Sequence, residues 1–203
     1  MLSVKHNFLF VHLPKTGGNS VQSVLHRYSE DTIVCLNDLQ DGVERFEIRN
    51  SYPSIHKHSR LMDYQAVLDP ELFNRLYKFT TIRNPWERAV SFYFSPHRRT
   101  TEWNRNDFIK LIKNIKPLRD MLVLKNQSDD FWSNVDTVLR FENLSGDFNK
   151  LCKKLGLTTE PLPTRNQSLV KEKNYKQFYD DELVSLVSER FNDEIVFGNY
   201  SFN

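Results

Sequence analysis

The sequence predicts an α/β fold with a mostly parallel central sheet flanked by helices on both faces. Three observations predict it. Short apolar runs of strand length recur along the chain. Two of them pass straight through a turn into an amphipathic helix. Strands and helices then alternate rather than segregate.

The elements follow in order. NFLFVHL (7–13) is a continuous apolar run, as in a strand covered on both faces. PKTGGNS is turn chemistry. The helix after it places Val21, Val24 and Leu25 at helical spacing. TIVCL (32–36) reads as a second strand, and Pro53 breaks any helix in the polar stretch that follows. DPELFNRLY (69–77) reads as a helix, KFTTIR (78–83) as a strand and NPWERAVSFYF (84–94) as a helix. The last has Asn84 as N-cap, Pro85 at the first helical position and Glu87 placed for a capping box. Residues 104–126 are loosely amphipathic and helical. VDTVLRF (135–141) reads as a strand and LSGDFNKLCKKLGL (144–157) as a helix, with Asp147 in its first turn and Gly156 at its end. TTEPLPTRNQS is a loop, and 180–198 is a final amphipathic helix.

The chain has 203 residues, the size of a single domain spanning 1–203. A domain of this size buries about 70% of its unfolded surface and needs no disulfide or metal to fold. With 39% hydrophobic and 27% charged residues, it is not a disordered chain. A net charge of +2 with no polybasic run argues against nucleic-acid binding through bulk charge. Mean hydropathy is −0.58, and no apolar run approaches the roughly 18 residues of a membrane span. The first apolar run is too short for a secretion signal, so a cytoplasmic protein is expected. Cys35 and Cys152 read as unpaired, buried, small apolar residues.

Lys15-Thr16-Gly17-Gly18-Asn19-Ser20 is the most informative segment. Adjacent glycines let the backbone turn sharply, and their N–H groups with a helix N-terminus form an anion cradle. Lys15 adds charge, and Thr16, Asn19 and Ser20 add donors. The simpler alternative is a tight turn beside a surface lysine. A nucleotide-triphosphate loop would place its lysine after the glycines, and here it comes before them. The second strand–turn–helix unit supplies Arg83 at the strand end, with Arg88 and Ser91 one turn apart on the helix. In open parallel sheets ligands bind beyond the carboxyl ends of strands, so Lys15 and Arg83 can reach one crevice. The competing role for Arg83 is an ion pair with Glu87.

FLFVHLPKTGGNSV together with KFTTIRNPWERAVSFYF resembles the two signature segments of sulfotransferases that use 3′-phosphoadenosine-5′-phosphosulfate (PAPS). The likeness is greatest to the carbohydrate O-sulfotransferase branch, which includes heparan sulfate 2-O-sulfotransferase and small bacterial relatives. VDTVLRFENLSGDF, LPTRNQS and NDEIVFGNY extend it to about residue 200. The resemblance implies a P-loop NTPase-like three-layer fold. It implies that Lys15, Thr16, Gly17, Gly18, Asn19 and Ser20 hold the phosphosulfate and that Arg83 and Ser91 hold the 3′-phosphate. Asn166 and Ser168 are weaker candidates near the nucleotide. It implies a bacterial enzyme that releases adenosine 3′,5′-bisphosphate and sulfates a carbohydrate hydroxyl, including that of an acidic polysaccharide.

Such a transfer needs a group to take the hydroxyl proton, and histidine suits it because its pKa lies near neutrality. IHKHSRLMDY resembles the H-x-H segment of the 2-O-sulfotransferase. His58 is assigned as base and His56 as its support, both facing the same side of an extended segment. No third ligand sits at metal spacing, so no metal site is expected. Arg60, His97, Arg98 and Arg99 either meet an acidic acceptor or form a solvated basic face. Two alternatives stay open: a P-loop nucleotide phosphotransferase and a non-catalytic nucleotide-binding protein.

Overall fold

The computed structural model describes residues 1–40, 43–98, 100–125, 130–164 and 174–202. In chain order the main elements are β1 (Leu2–Ser3), β2 (Phe8–Val11), α1 (Gly18–Leu25), β3 (Thr32–Gln40), β4 (Val43–Arg49), α2 (Leu61–Val67), α3 (Pro70–Arg75) and β5 (Tyr77–Ile82). Then follow α4 (Pro85–Tyr93), α5 (Arg105–Asn114), α6 (Leu118–Leu122), β6 (Thr137–Arg140), α7 (Leu144–Lys154), α8 (Asp181–Arg190) and α9 (Asn192–Gly198).

The central sheet has the order β1-β2-β5-β6. β2, β5 and β6 run parallel, and the short β1 pairs antiparallel with β2. All four residues of β2 are buried, which is why its sequence does not alternate. Phe10 stacks on Phe79 of β5 at 5.1 Å between ring centres. Helices flank the sheet. One apolar cluster gathers Val21, Tyr64, Leu118 and Leu151 with β2. A second joins Trp86, Phe108, Val187 and Phe191. The α/β class and the mostly parallel sheet are therefore as expected.

Four details differ from the sequence reading. The strand expected at 32–36 runs on to Gln40 and pairs antiparallel with β4 as a separate two-stranded ribbon. Cys35 sits on this ribbon and is exposed rather than buried, whereas Cys152 is buried as expected. The helix expected over 104–126 is two helices, because Pro117 lacks an N–H and disfavours helix at the residue before it. The carbonyls freed there are taken up by arginines: Ile115 O accepts from Arg190 and Lys116 O from Arg88. The helix expected over 180–198 breaks at Phe191. The break turns α9 inward, where the buried Glu194 carboxylate accepts from Leu118 N at 2.7 Å and faces Arg88 at 3.5 Å.

The start of α4 is as the sequence indicates, with one change. Pro85 opens the helix, and the Asn84 side chain accepts from the N–H groups of Trp86 and Glu87. The reciprocal half of the capping box is absent. The Asn84 N–H donates to Glu142 at 2.8 Å, and the Glu87 carboxylate turns to Arg83.

Candidate functional site

Because β2 and β5 are parallel neighbours, their carboxyl ends open on the same edge of the sheet. The loop leaving β2 carries Lys15 and the residue leaving β5 is Arg83. The Arg83 guanidinium donates to the Lys15 carbonyl at 3.2 Å, so the two segments meet. Between them lies a cleft of about 420 Å³. Its walls include Lys15, Gly17, Gly18, Asn19, Ser20, Arg83 and Ser91, each of them a candidate on sequence grounds. His12, Phe141, Leu144, Leu162 and Pro163 also line it.

The loop is held in an unusual shape. Lys15 has φ 67° and Gly17 φ 84°, both left-handed. For lysine this conformation is costly, and such outliers concentrate at functional sites. Gly17 caps α1, whose first turn carries no acidic residue. The positive end of the helix is therefore available to an anion. Thr16 behaves differently from its expected role. Its hydroxyl is buried, donating to Leu13 O at 2.6 Å and lying 2.5 Å from the Thr81 hydroxyl. It braces the loop against β5 and does not line the cleft.

Gly18 is required by packing. A Cβ there would lie 2.1 Å from the His12 ring. Gly18→Ala is therefore expected to cost about 1–3 kcal/mol, the usual range for overpacking, measured by urea denaturation. A neutral result would mean that His12 has room to move.

Arg83 reaches the cleft and also makes the ion pair. It pairs with Glu87 at 2.8 Å and its guanidinium lies 4.0 Å from the centre of the Phe141 ring. Its Nε is buried and has no hydrogen-bond partner among the described residues. Arg88, by contrast, turns away from Ser91 into the interior. It donates to Pro14 O and Lys116 O and pairs with Glu194.

The H-x-H segment is a turn, not an extended strand, so its histidines do not share a side. The Ser59 N–H donates to the His56 carbonyl at 3.0 Å, and His56 is exposed and lines neither cleft described here. Lys57 is buried between them, over the Phe46 ring. His58 reaches back to β2, where its Nδ1 lies 3.0 Å from the His12 carbonyl. A carbonyl can only accept, so Nδ1 carries the proton and Nε2 keeps its lone pair. The His58 side chain is exposed on one side, and the protein around the rest of the ring lowers its pKa from 6.5 to about 4. The bond to His12 O opposes the shift, and Lys57 adds to it. His12, 3% exposed, sits 4.5 Å from His58 between ring centres. Burial, then His58 and Lys57, holds its pKa well below the usual value. Both rings are neutral at neutral pH.

Arg60 and Arg98 do not line the cleft. Arg60 is paired with Asp63 at 2.8 Å, and Arg98 is exposed over Tyr93. Asn166, Ser168, Arg99 and the His97 side chain lie outside the described residues. No cluster of metal-ligating side chains is found among the described residues. No described helix is long and apolar enough to cross a membrane.

The Sulfotransferase family matches the chain over residues 1–201. The chain belongs to the sulfotransferase family. No curated protein and no solved structure matched it. Membership makes this sulfotransferase a transferase of sulfuryl groups, with an acceptor substrate. Of the residues that sequence reasoning missed, His12 carried a signal, being a histidine close before the Pro-Lys turn. Phe141 and Leu162 lie in the RFENL and LPTRNQS segments that carry the resemblance, but only the fold brings them to the cleft.

Proposed function

We propose that residues 1–203 act as one sulfotransferase domain. It moves the sulfuryl group of PAPS to an acceptor hydroxyl, with His58 as general base. The observation that carries the proposal is one cleft walled by the left-handed Lys15 loop and by Arg83, with His58 tied to the carbonyl of a cleft residue. The resemblance to carbohydrate O-sulfotransferases supplies a sugar hydroxyl as the first acceptor class to test.

The residues fit the donor. The glycine turn, the N-terminus of α1 and Lys15 suit the phosphosulfate. Arg83 and Ser91, both on the cleft wall, suit the 3′-phosphate. Phe141, Leu162 and Pro163 offer apolar surface to a purine. The donor, when bound, supplies an activated sulfuryl group. His58 Nε2 takes the hydroxyl proton as the acceptor oxygen bonds to sulfur. The bond from sulfur to the bridging phosphate oxygen breaks, and its electron pair stays on the departing adenosine 3′,5′-bisphosphate. Lys15 and the loop amides stabilise the charge that gathers there. Family membership favours sulfuryl over phosphoryl transfer, and sulfate transfer from labelled PAPS distinguishes an enzyme from a non-catalytic nucleotide-binding protein.

The test is metal-free binding of adenosine 3′,5′-bisphosphate. At about 100 times its Kd the nucleotide should add about 2.7 kcal/mol of stability, a melting shift of roughly 5–11 °C. ATP with magnesium should do much less. Arg83→Ala should weaken bisphosphate binding about tenfold or more, the loss expected for a charge-assisted hydrogen bond. Stronger stabilisation by ATP would overturn the donor assignment.

A further inference from the structure

A second cavity, of about 270 Å³, lies on the far side of the Lys15 loop from the donor cleft. The two are separated by very little. Pro14 lines the second cavity and Lys15 the first. Likewise His58 lines the second and His12 the first, with their rings 4.5 Å apart. A hydroxyl in this second cavity would stand beside His58 and face the end of the donor cleft that holds Lys15.

The chemistry of the wall is one-sided. Pro14, Phe92, Leu111, Ile115 and Met121 make it apolar. Arg88 also borders it, but its guanidinium is engaged by Pro14 O, Lys116 O and Glu194. The Asn114 amide N–H donates back to Lys110 O. Lys116 is exposed, at the rim. His58 is thus the polar group best placed to meet a hydroxyl inside. A sugar ring seated there would bring several hydroxyls against carbon. Each hydroxyl left without a partner is unfavourable, because it gives up its bonds to water and gains none. A single hydroxyl on an apolar body meets no such penalty and gains from contact with the wall.

We infer that this cavity is the acceptor site and that it takes a small phenol or apolar alcohol, its hydroxyl directed at His58, rather than a sugar ring. The inference rests on the sulfuryl-transfer reading and narrows its acceptor.

The experiment compares 2-naphthol and benzyl alcohol with methyl glucoside and a uronic-acid polysaccharide. Sulfate transfer from labelled PAPS is measured, with calorimetric binding of each acceptor to the bisphosphate-loaded protein. The aryl acceptors should bind, and their kcat/KM should exceed that of the sugars at least tenfold. Leu111→Trp fills the cavity from a half-buried wall position. It should cut kcat/KM for naphthol at least tenfold and leave bisphosphate stabilisation unchanged. Should that variant not fold, Leu111→Ala enlarges the cavity and should shift preference toward larger aryl alcohols. Preferred transfer to sugars, or failure of naphthol to bind the loaded protein, overturns the acceptor class while the donor reading stands. Absence of any bisphosphate stabilisation in the wild-type protein overturns both.

Discussion

Lys15→Ala should lower kcat by about 10²–10³-fold, the range seen when one fixed donor is removed from developing negative charge. The loss belongs to turnover because charge on the leaving phosphate is largest in the transition state. The variant should still fold. Alanine also has a Cβ, so the left-handed backbone at position 15 is no more strained than with lysine. The bond between Arg83 and this residue uses the backbone carbonyl, which the substitution keeps. Single-turnover transfer from PAPS, with the melting temperature as control, checks this. A variant that raises KM at unchanged kcat would assign Lys15 to ground-state binding alone.

His58→Ala should lower kcat by about 10²–10⁴-fold, the contribution expected of a general base. Bisphosphate affinity should stay within a few-fold, because the imidazole faces the acceptor side. The pH dependence has a definite sign. The base must be neutral, and packing lowers its pKa from 6.5 to about 4. The wild-type kcat/KM should therefore hold as pH falls through 6.5 and decline only near pH 4, and the variant should lack that limb. Stability moves first. His12 and His58 both have native pKa values below the unfolded value. The unfolded chain thus binds more protons as pH drops, and stability present above pH 6.5 is lost progressively below it. Melting curves across the same pH range separate the two effects. Near-normal transfer by His58→Ala would sink the assignment.

The α/β class, the Lys15 turn and the Asn84-Pro85 helix start are determined by the sequence itself. Each depends on neighbours in the chain: a continuous apolar run, adjacent glycines, an N-cap before a proline. The split of 104–126 was also local, since Pro117 was visible. The rest depends on groups far apart in sequence. His58 faces the site and His56 does not, because Lys57 is drawn between them onto Phe46 and the chain turns there. Arg88 is drawn into the interior because Lys116 O, freed beside Pro117, with Pro14 O and Glu194 on α9, satisfies its guanidinium. Thr16 looks inward because Thr81 of the neighbouring strand offers a buried partner. Spacing along the chain says which residues can share a face. Whether a charged or hydroxyl group serves a ligand or the interior depends on which distant partner reaches it first, and only the tertiary structure decides that.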